Sequence, residues 1–175
     1  MNGQKIIFAR ETSIIFAEAL TRLNIPYYIM GFSADSRGYN ALHYHFVDWS
    51  NNKLDRYSLA SMQAGGNNFD GYSIRYATEL LKNRPAKNKI LFVISDGEPA
   101  CYKYSDWRLG IADTTEAIKE SRKSVKTFGI AFGKNCDANE LQKMYGNDFI
   151  HCPDIEILAT ILTKKVEKMI KKGRK

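Results

Sequence analysis

The sequence predicts an α/β domain: a three-layer, doubly wound, mostly parallel sheet with one antiparallel edge hairpin. Three observations predict it. Extended and helical patterns alternate along the whole chain, which in a single domain places helices on both faces of a sheet. The run KILFVIS over 89–95 is apolar without alternation, the pattern of a strand buried on both faces among parallel neighbours. The segments YYIMGFS (27–33) and ALHYHFVDW (41–49) flank a short polar loop rich in Gly, Ser and Asp, so they pair as a hairpin.

Taken in order, residues 3–24 place Ile6, Ile7, Ala9, Arg10, Ile14, Ala17 and Leu20 close to helical spacing and end at Asn24 before Pro26. The hairpin follows, then a short helix over 52–63. The loop AGGNNFDG leads into a helix over 71–83, with Ile74, Ala77, Leu80 and Leu81 on one face; Arg84-Pro85 ends it. After the greasy strand at 89–95 come a helix over 106–122, a buried strand VKTFGIAFG over 125–133, a short helix over 137–145 and the strand DFIHC over 148–152. Asp154 reads as the N-cap of a final helix striped with Ile157, Leu158, Ile161, Leu162, Val166 and Ile170. No repeat and no long linker divides the chain, so residues 1–175 are expected to form a single domain.

Composition narrows the function. The hydrophobic share of 44% and charged share of 26% are ordinary for a globular chain. No apolar run approaches a membrane span and no signal-peptide pattern opens the chain, so the expected location is cytoplasmic, with no membrane partner. Most of the net charge of +7 sits in the tail TKKVEKMIKKGRK over 163–175. Such a tail can bind nucleic acid, but cations also suit the carboxyl end of a helix, and no aromatic residue interleaves these lysines to stack on bases. Nucleic acid is therefore not the expected partner. The cysteines Cys101, Cys136 and Cys152 are odd in number and contain no CxxC, which points to reduced thiols rather than disulfides or zinc. His43 and His45 share one face of a strand without a third ligand nearby, so their expected role is structural.

The stretch ILFVISDGEPACYKY (90–104) carries the functional signal. Its strand delivers Asp96 to the tip, beside Gly97 and just before Pro99. In a doubly wound sheet, ligands bind at the carboxyl ends of the strands. The AGGNNFDG loop can reach the same edge. Asn68 and Asp70 are hard-oxygen residues, yet both are also good N-caps for the helix that follows, and capping is the nearer reading for Asp70. Glu98 reads as solvated. Tyr102, Tyr104 and Trp107 form an aromatic cluster beside any partner surface at this edge. An enzyme of the phosphoryl-transfer class is the alternative for a carboxylate at a strand tip, but the chain has no P-loop, no GxSxG and no GxGxxG.

A buried strand ending in SDGEP, following a Gly-Gly-Asn-rich loop that opens a helix, resembles a von Willebrand factor type A (VWA) domain, with a Rossmann-like layout. NFDGYSIRYATELL followed by KNKILFVISDGEPACYKY is similar to the VWA domain of the cobaltochelatase accessory subunit and of nitric-oxide-reductase activation proteins. The resemblance implies a metal-ion-dependent adhesion site built from three loops, with Asp96 in the third and Asn68 and Asp70 in the second. The expected ion is Mg²⁺, with Mn²⁺ or Ca²⁺ as substitutes, all of which take oxygen ligands. The resemblance further implies a non-catalytic interaction domain that works beside an AAA-type ATPase in metal insertion or complex assembly, with Glu98, Tyr102, Tyr104 and Trp107 at the partner face. One departure is large. The first loop of such a site is Asp-x-Ser-x-Ser on the central strand, and no such motif occurs here; Met1-Asn2-Gly3-Gln4-Lys5-Ile6 resembles the segment that follows it. The domain is thus expected to be N-terminally truncated, with metal binding weak or absent in this chain alone. Without that strand, its neighbours must pair directly, or another chain must fill the gap, or the fold must be marginal. Ladder groups left buried and unpaired cost about 1–3 kcal/mol each.

Overall fold

The computed structural model describes residue 1 and residues 3–49, 55–100, 103–104, 106–132 and 137–152. The predicted final helix, the basic tail, Cys101, Tyr102 and Cys136 lie outside the described residues. Helix α1 (Gln4–Arg22) leads into strands β1 (Ile29–Ala34) and β2 (Ala41–Val47), followed by a 3-10 helix (Asp55–Ser61) and helix α2 (Asp70–Lys82). Then come β3 (Ile90–Ser95), α3 (Trp107–Ser121), β4 (Lys126–Phe132), α4 (Ala138–Tyr145) and β5 (Phe149–Cys152).

The predicted α/β architecture is present, but its strands form two sheets. Strands β3, β4 and β5 pair in parallel in that order, while β1 and β2 form a separate antiparallel hairpin. Between these sheets, β1 and β3 do not pair. Of the outcomes expected above, direct pairing of the two neighbouring strands is not seen.

The parallel sheet is sandwiched as its sequence requires. Successive β3 side chains point to opposite faces. Leu91 and Val93 pack with Ile74, Ile111, Ile118 and Leu141 from α2, α3 and α4. Phe92 and Ile94 pack on the other face with Phe8, Phe16 and Leu20 of α1. The ring of Phe92 lies 4.8 Å from Phe16 and 5.8 Å from Phe128. Gly129 in β4 is fixed by its neighbour: a Cβ there would stand 2.8 Å from the ring of Tyr145, which is itself buried against the sheet.

Helix α1 differs in detail from its predicted stripe. Its buried face is Ala9, Thr12, Ser13, Phe16 and Ala17, whereas Ile14 is exposed. The Ser13 hydroxyl is satisfied by donating to the Ala9 carbonyl at 2.8 Å, so a polar side chain can face inward without an orphaned group. The helix stops where Asn24 enters the left-handed region at φ 55°, a conformation Asn tolerates at a helix end. The hairpin is fastened to α2 through His43, whose ring stacks on Tyr76 at 4.3 Å and whose Nε2 lies 3.2 Å from the Ser73 hydroxyl. Burial, with the charge of His45 adding to it, pushes the His43 pKa down.

Candidate metal centre at the carboxyl edge of the sheet

Strand β3 ends at Ser95, and the backbone turns at once. Gly97 sits at φ 80°, which favours glycine, and a Cβ there would come within 3.2 Å of the Leu141 side chain. The turn is closed by its own side chains: Gly97 N–H donates to the Ser95 hydroxyl at 3.1 Å, and Glu98 N–H to Asp96 Oδ1 at 3.4 Å. The loop ahead of α2 joins it through a two-way backbone and side-chain link. Asn68 N–H donates to the Ala100 carbonyl at 2.7 Å, and Ala100 N–H donates to Asn68 Oδ1 at 3.2 Å. Asn68 Nδ2 donates to Asp70 Oδ2 and, at 3.4 Å, to the Glu98 carbonyl.

Asn68, Asp70 and Asp96 therefore meet at one edge, in different roles. Asp70 does not cap α2: the N-cap is Phe69, without a side-chain cap bond, and Asp70 lies in the first turn, 2% exposed. The nearer sequence reading is corrected here, because the N-cap position falls on Phe69 and the Asp70 side chain turns inward to Asn68 and Ser95, besides accepting from its own backbone N–H. Burial raises the Asp70 pKa to about 7, with the Asp96 charge adding to the rise and the hydrogen bonds from Asn68 and Ser95 opposing it. Asp96 is only 7% exposed, and Lys5 Nζ lies 3.0 Å from its Oδ2. Burial works against the charge on Lys5, but the hydrogen bond and charge of Asp96, with those of Glu98, prevail and raise its pKa.

The remaining predicted residues lie around this pair. Glu98 is exposed, with Lys5 at 3.5 Å. Trp107 is exposed and carries the Arg108 guanidinium 5.7 Å from its ring centroid. Tyr104 turns inward: its hydroxyl donates to Asp113 Oδ2 at 2.5 Å and its ring meets Phe69 edge-on at 6.3 Å. Two contributors were not anticipated. Ser95 is adjacent in sequence to Asp96 and could have been read from its position at the strand tip. Lys5 is 91 residues away from Asp96 in sequence, and no local pattern foretells that contact.

The donors suit a hard cation in kind, since Asp70, Asp96 and the Ser95 hydroxyl supply oxygen. They do not suit it in number. Asn68 presents its N–H₂ to Asp70 while its amide oxygen is engaged by Ala100, so it braces two loops. Among the described residues, no three His, Cys, Asp or Glu side chains gather as a metal cluster.

Comparisons with known proteins agree with this architecture. The chain is 31% identical over 174 residues to the uncharacterized protein YojO of Bacillus subtilis, covering 91% of this chain and 27% of YojO. It is 26% identical over 119 residues to protein NorD of Stutzerimonas stutzeri, covering 65% of this chain and 19% of NorD. The chain thus spans about a quarter or less of these relatives' length. Among solved structures, proximal thread matrix protein 1 from the mussel byssus, with a zinc-occupied MIDAS motif, superposes with a TM-score of 0.63 at 14% identity, covering 93% of this chain and 42% of that one. That likeness shows the fold alone. The family model described as the cobalamin biosynthesis protein CobT VWA domain matches residues 58–172, and the chain belongs to that family.

Proposed function

We propose that this chain is a non-catalytic interaction domain whose working face is the carboxyl edge around Asp96. The observation that carries this reading is the meeting of Asn68, Asp70, Ser95 and Asp96 at the end of β3, on loops braced to each other. Asp96 and Asp70 would hold a divalent cation such as Mg²⁺, Mn²⁺ or Ca²⁺, which when bound supplies positive charge for a partner's carboxylate. Lys5 already supplies part of that charge, so the cation binds weakly or not at all without further donors. By likeness to CobT and NorD, the partner is an AAA-type ATPase, and the setting is metal insertion or the assembly of a larger complex. Glu98 and Trp107 flank the face where that partner sits.

Two measurements test the reading. Calorimetric titration at pH 8 is expected to give Mg²⁺ and Mn²⁺ affinities no tighter than about millimolar, the weak end of carboxylate sites; tighter binding overturns the claim of an incomplete site. Co-elution with a purified AAA-type ATPase is expected to be lost on Asp96→Ala and kept on Lys119→Ala, which lies away from this edge. Equal co-elution of both variants removes Asp96 from the interface.

A further inference from the structure

Strand β2 is an outer strand of its sheet: it pairs with β1 and, among the described residues, with no other strand. The direction of its backbone groups follows from the hairpin. Asp35 N–H donates to the Asn40 carbonyl at 2.9 Å, and from that pair the hydrogen-bonded positions alternate to Ser33 with Leu42 and Gly31 with Tyr44. The amides and carbonyls of Ala41, His43 and His45 therefore point away from β1. Ala34, which stands opposite Ala41, agrees: its N–H turns from the hairpin to the Asn67 carbonyl at 2.5 Å. Native edge strands are commonly blunted by charge, proline, a bulge or shortness. Residues 41–45, ALHYH, carry no Asp, Glu, Lys, Arg or Pro, and the register slips only beyond them, where Phe46 has no opposite residue. On one face of this edge, His43 is held by the Tyr76 ring at 4.3 Å and by the Ser73 hydroxyl at 3.2 Å. On the other face, Leu42 and Tyr44 are 37% and 47% exposed.

We propose that β2 pairs antiparallel with β2 of a second copy of this chain, about a two-fold axis at His43. The proposal goes beyond the interaction-domain reading and needs neither a cation nor Asp96. The strand is self-complementary in that register. Ala41 faces His45 of the second copy and His43 faces its counterpart, so three pairs exchange two main-chain bonds each, about six in all. Leu42 and Tyr44 of one copy fall opposite Tyr44 and Leu42 of the other. These are the positions without hydrogen bonds, where facing side chains come closest. Two aliphatic–aromatic pairs thus form from residues that the single chain leaves exposed. Neighbouring registers do worse. An axis at Leu42 sets Tyr44 against Asn40 in the turn, and an axis at Tyr44 runs the pairing onto the irregular step at Phe46. A second copy also fits better than an unrelated strand, because an uncharged edge has nothing with which to select a charged partner. Its own order of small, aliphatic and aromatic residues meets itself when reversed. The stacking of His43 on Tyr76 fixes the strand beforehand, so pairing orders little that is not already ordered.

The test combines sedimentation with amide-resolved hydrogen exchange on the full chain. Wild type is expected to sediment as a dimer at about 100 μM and to dissociate on dilution. Between dilute and concentrated samples, exchange at Ala41, His43 and His45 is expected to slow by about threefold or more, while Leu42 and Tyr44, which face β1, stay unchanged. Leu42→Lys/Tyr44→Lys sets like charges against each other in both pairs, as does Leu42→Glu/Tyr44→Glu. Each double variant is expected to be monomeric, and an equimolar mixture of the two to recover the dimer. Leu109→Lys, at an exposed site on α3, is expected to leave the dimer intact. A wild type that stays monomeric at about 100 μM overturns the proposal. So does a dimer that survives both double substitutions, or a mixture that remains monomeric. Should a double variant fail to fold, the alternation of protected amides in wild type decides, and uniform or absent protection over 41–45 overturns the pairing. None of these outcomes depends on Asp96, so the ATPase test stands or falls separately.

Discussion

The two halves of this molecule are built to different standards of self-sufficiency. On the side of β3, β4 and β5, strands pair in register, helices pack on both faces, and Ile118, Ile130, Phe132 and Leu141 are all but sealed from solvent. On the side of the hairpin, β1 pairs with β2 in a sheet of two strands, and most of the β1 residues are only half-buried. The helices around the parallel sheet show a second contrast. Helices α3 and α4 open on Asp106 and Asp137, which cap their own N–H groups, whereas α1 and α2 open on Gly3 and Phe69 without side-chain caps. The capped starts are specified by local signals. The starts of α1 and α2 lie at the carboxyl edge, where Lys5, Asp70 and Asp96 engage one another.

The largest expected effect measures that contrast directly. Ile118 is 0% exposed within the α2–α3–α4 core, so Ile118→Ala should cost about 2–5 kcal/mol. Leu80 of α2 lines a cavity on the hairpin side of β3 and is only partly buried, so Leu80→Ala should cost less than half as much as Ile118→Ala. Urea unfolding of both variants with unchanged slopes checks this. Equal losses would mean that the cavity wall is as tightly packed as the core, and the comparison would fail.

Next in size, and opposite in sign, is Asp70→Asn. The folded-state pKa of Asp70 is about 7, above the value of about 3.9 for a free Asp. Its charged form is therefore disfavoured by folding. The contribution of this group to stability falls as pH rises from about 4 to about 7 and stays low above that. Asn cannot ionise, so Asp70→Asn should flatten the pH dependence in this window and stabilise the chain at pH 8. The upper bound is about 4 kcal/mol, at about 1.4 per pKa unit, and relaxation around the site will reduce it. Thermal midpoints at pH 4 and pH 8 read the effect. A variant no more stable than wild type at pH 8 would show that Asp70 is comfortably charged in the fold, in keeping with a cation already compensating it.

Much of the fold is legible in the sequence because its causes are local. The apolar run before Ser95, the alternation of the hairpin and the caps Asp106 and Asp137 each act within a few residues of themselves. The candidate site is legible only in part. Asp96 follows from a strand end, but the depth of Asp70 does not, since a side chain that could cap its own helix turned inward to Ser95, which is 25 positions away. The contact between Lys5 and Asp96, and the failure of β1 and β3 to pair, depend on how whole layers stack. No window of sequence contains that information.

The smallest effect tests whether the capped helices owe their definition to local chemistry. Asp137 Oδ1 accepts from Asn139 N–H at 2.7 Å and from Glu140 N–H at 3.4 Å, satisfying two of the four donors that a helix start leaves without partners. Asp137→Ala should cost about 1 kcal/mol, and Asp137→Asn, which keeps an acceptor oxygen, should recover most of it. The pair separates capping from charge, because Asn lacks the negative charge that also favours a helix N-terminus. A loss well beyond about 2 kcal/mol would exceed what a cap supplies. In that case Asp137 would be holding α4 in place as a whole, and with it Leu141 and Tyr145, which α4 carries into the core beside β3 and β4. No loss at all would put α4 on the same footing as the uncapped α1 and α2, held by tertiary packing alone, and the division between the two halves would then lie in the sheets and not in the helices.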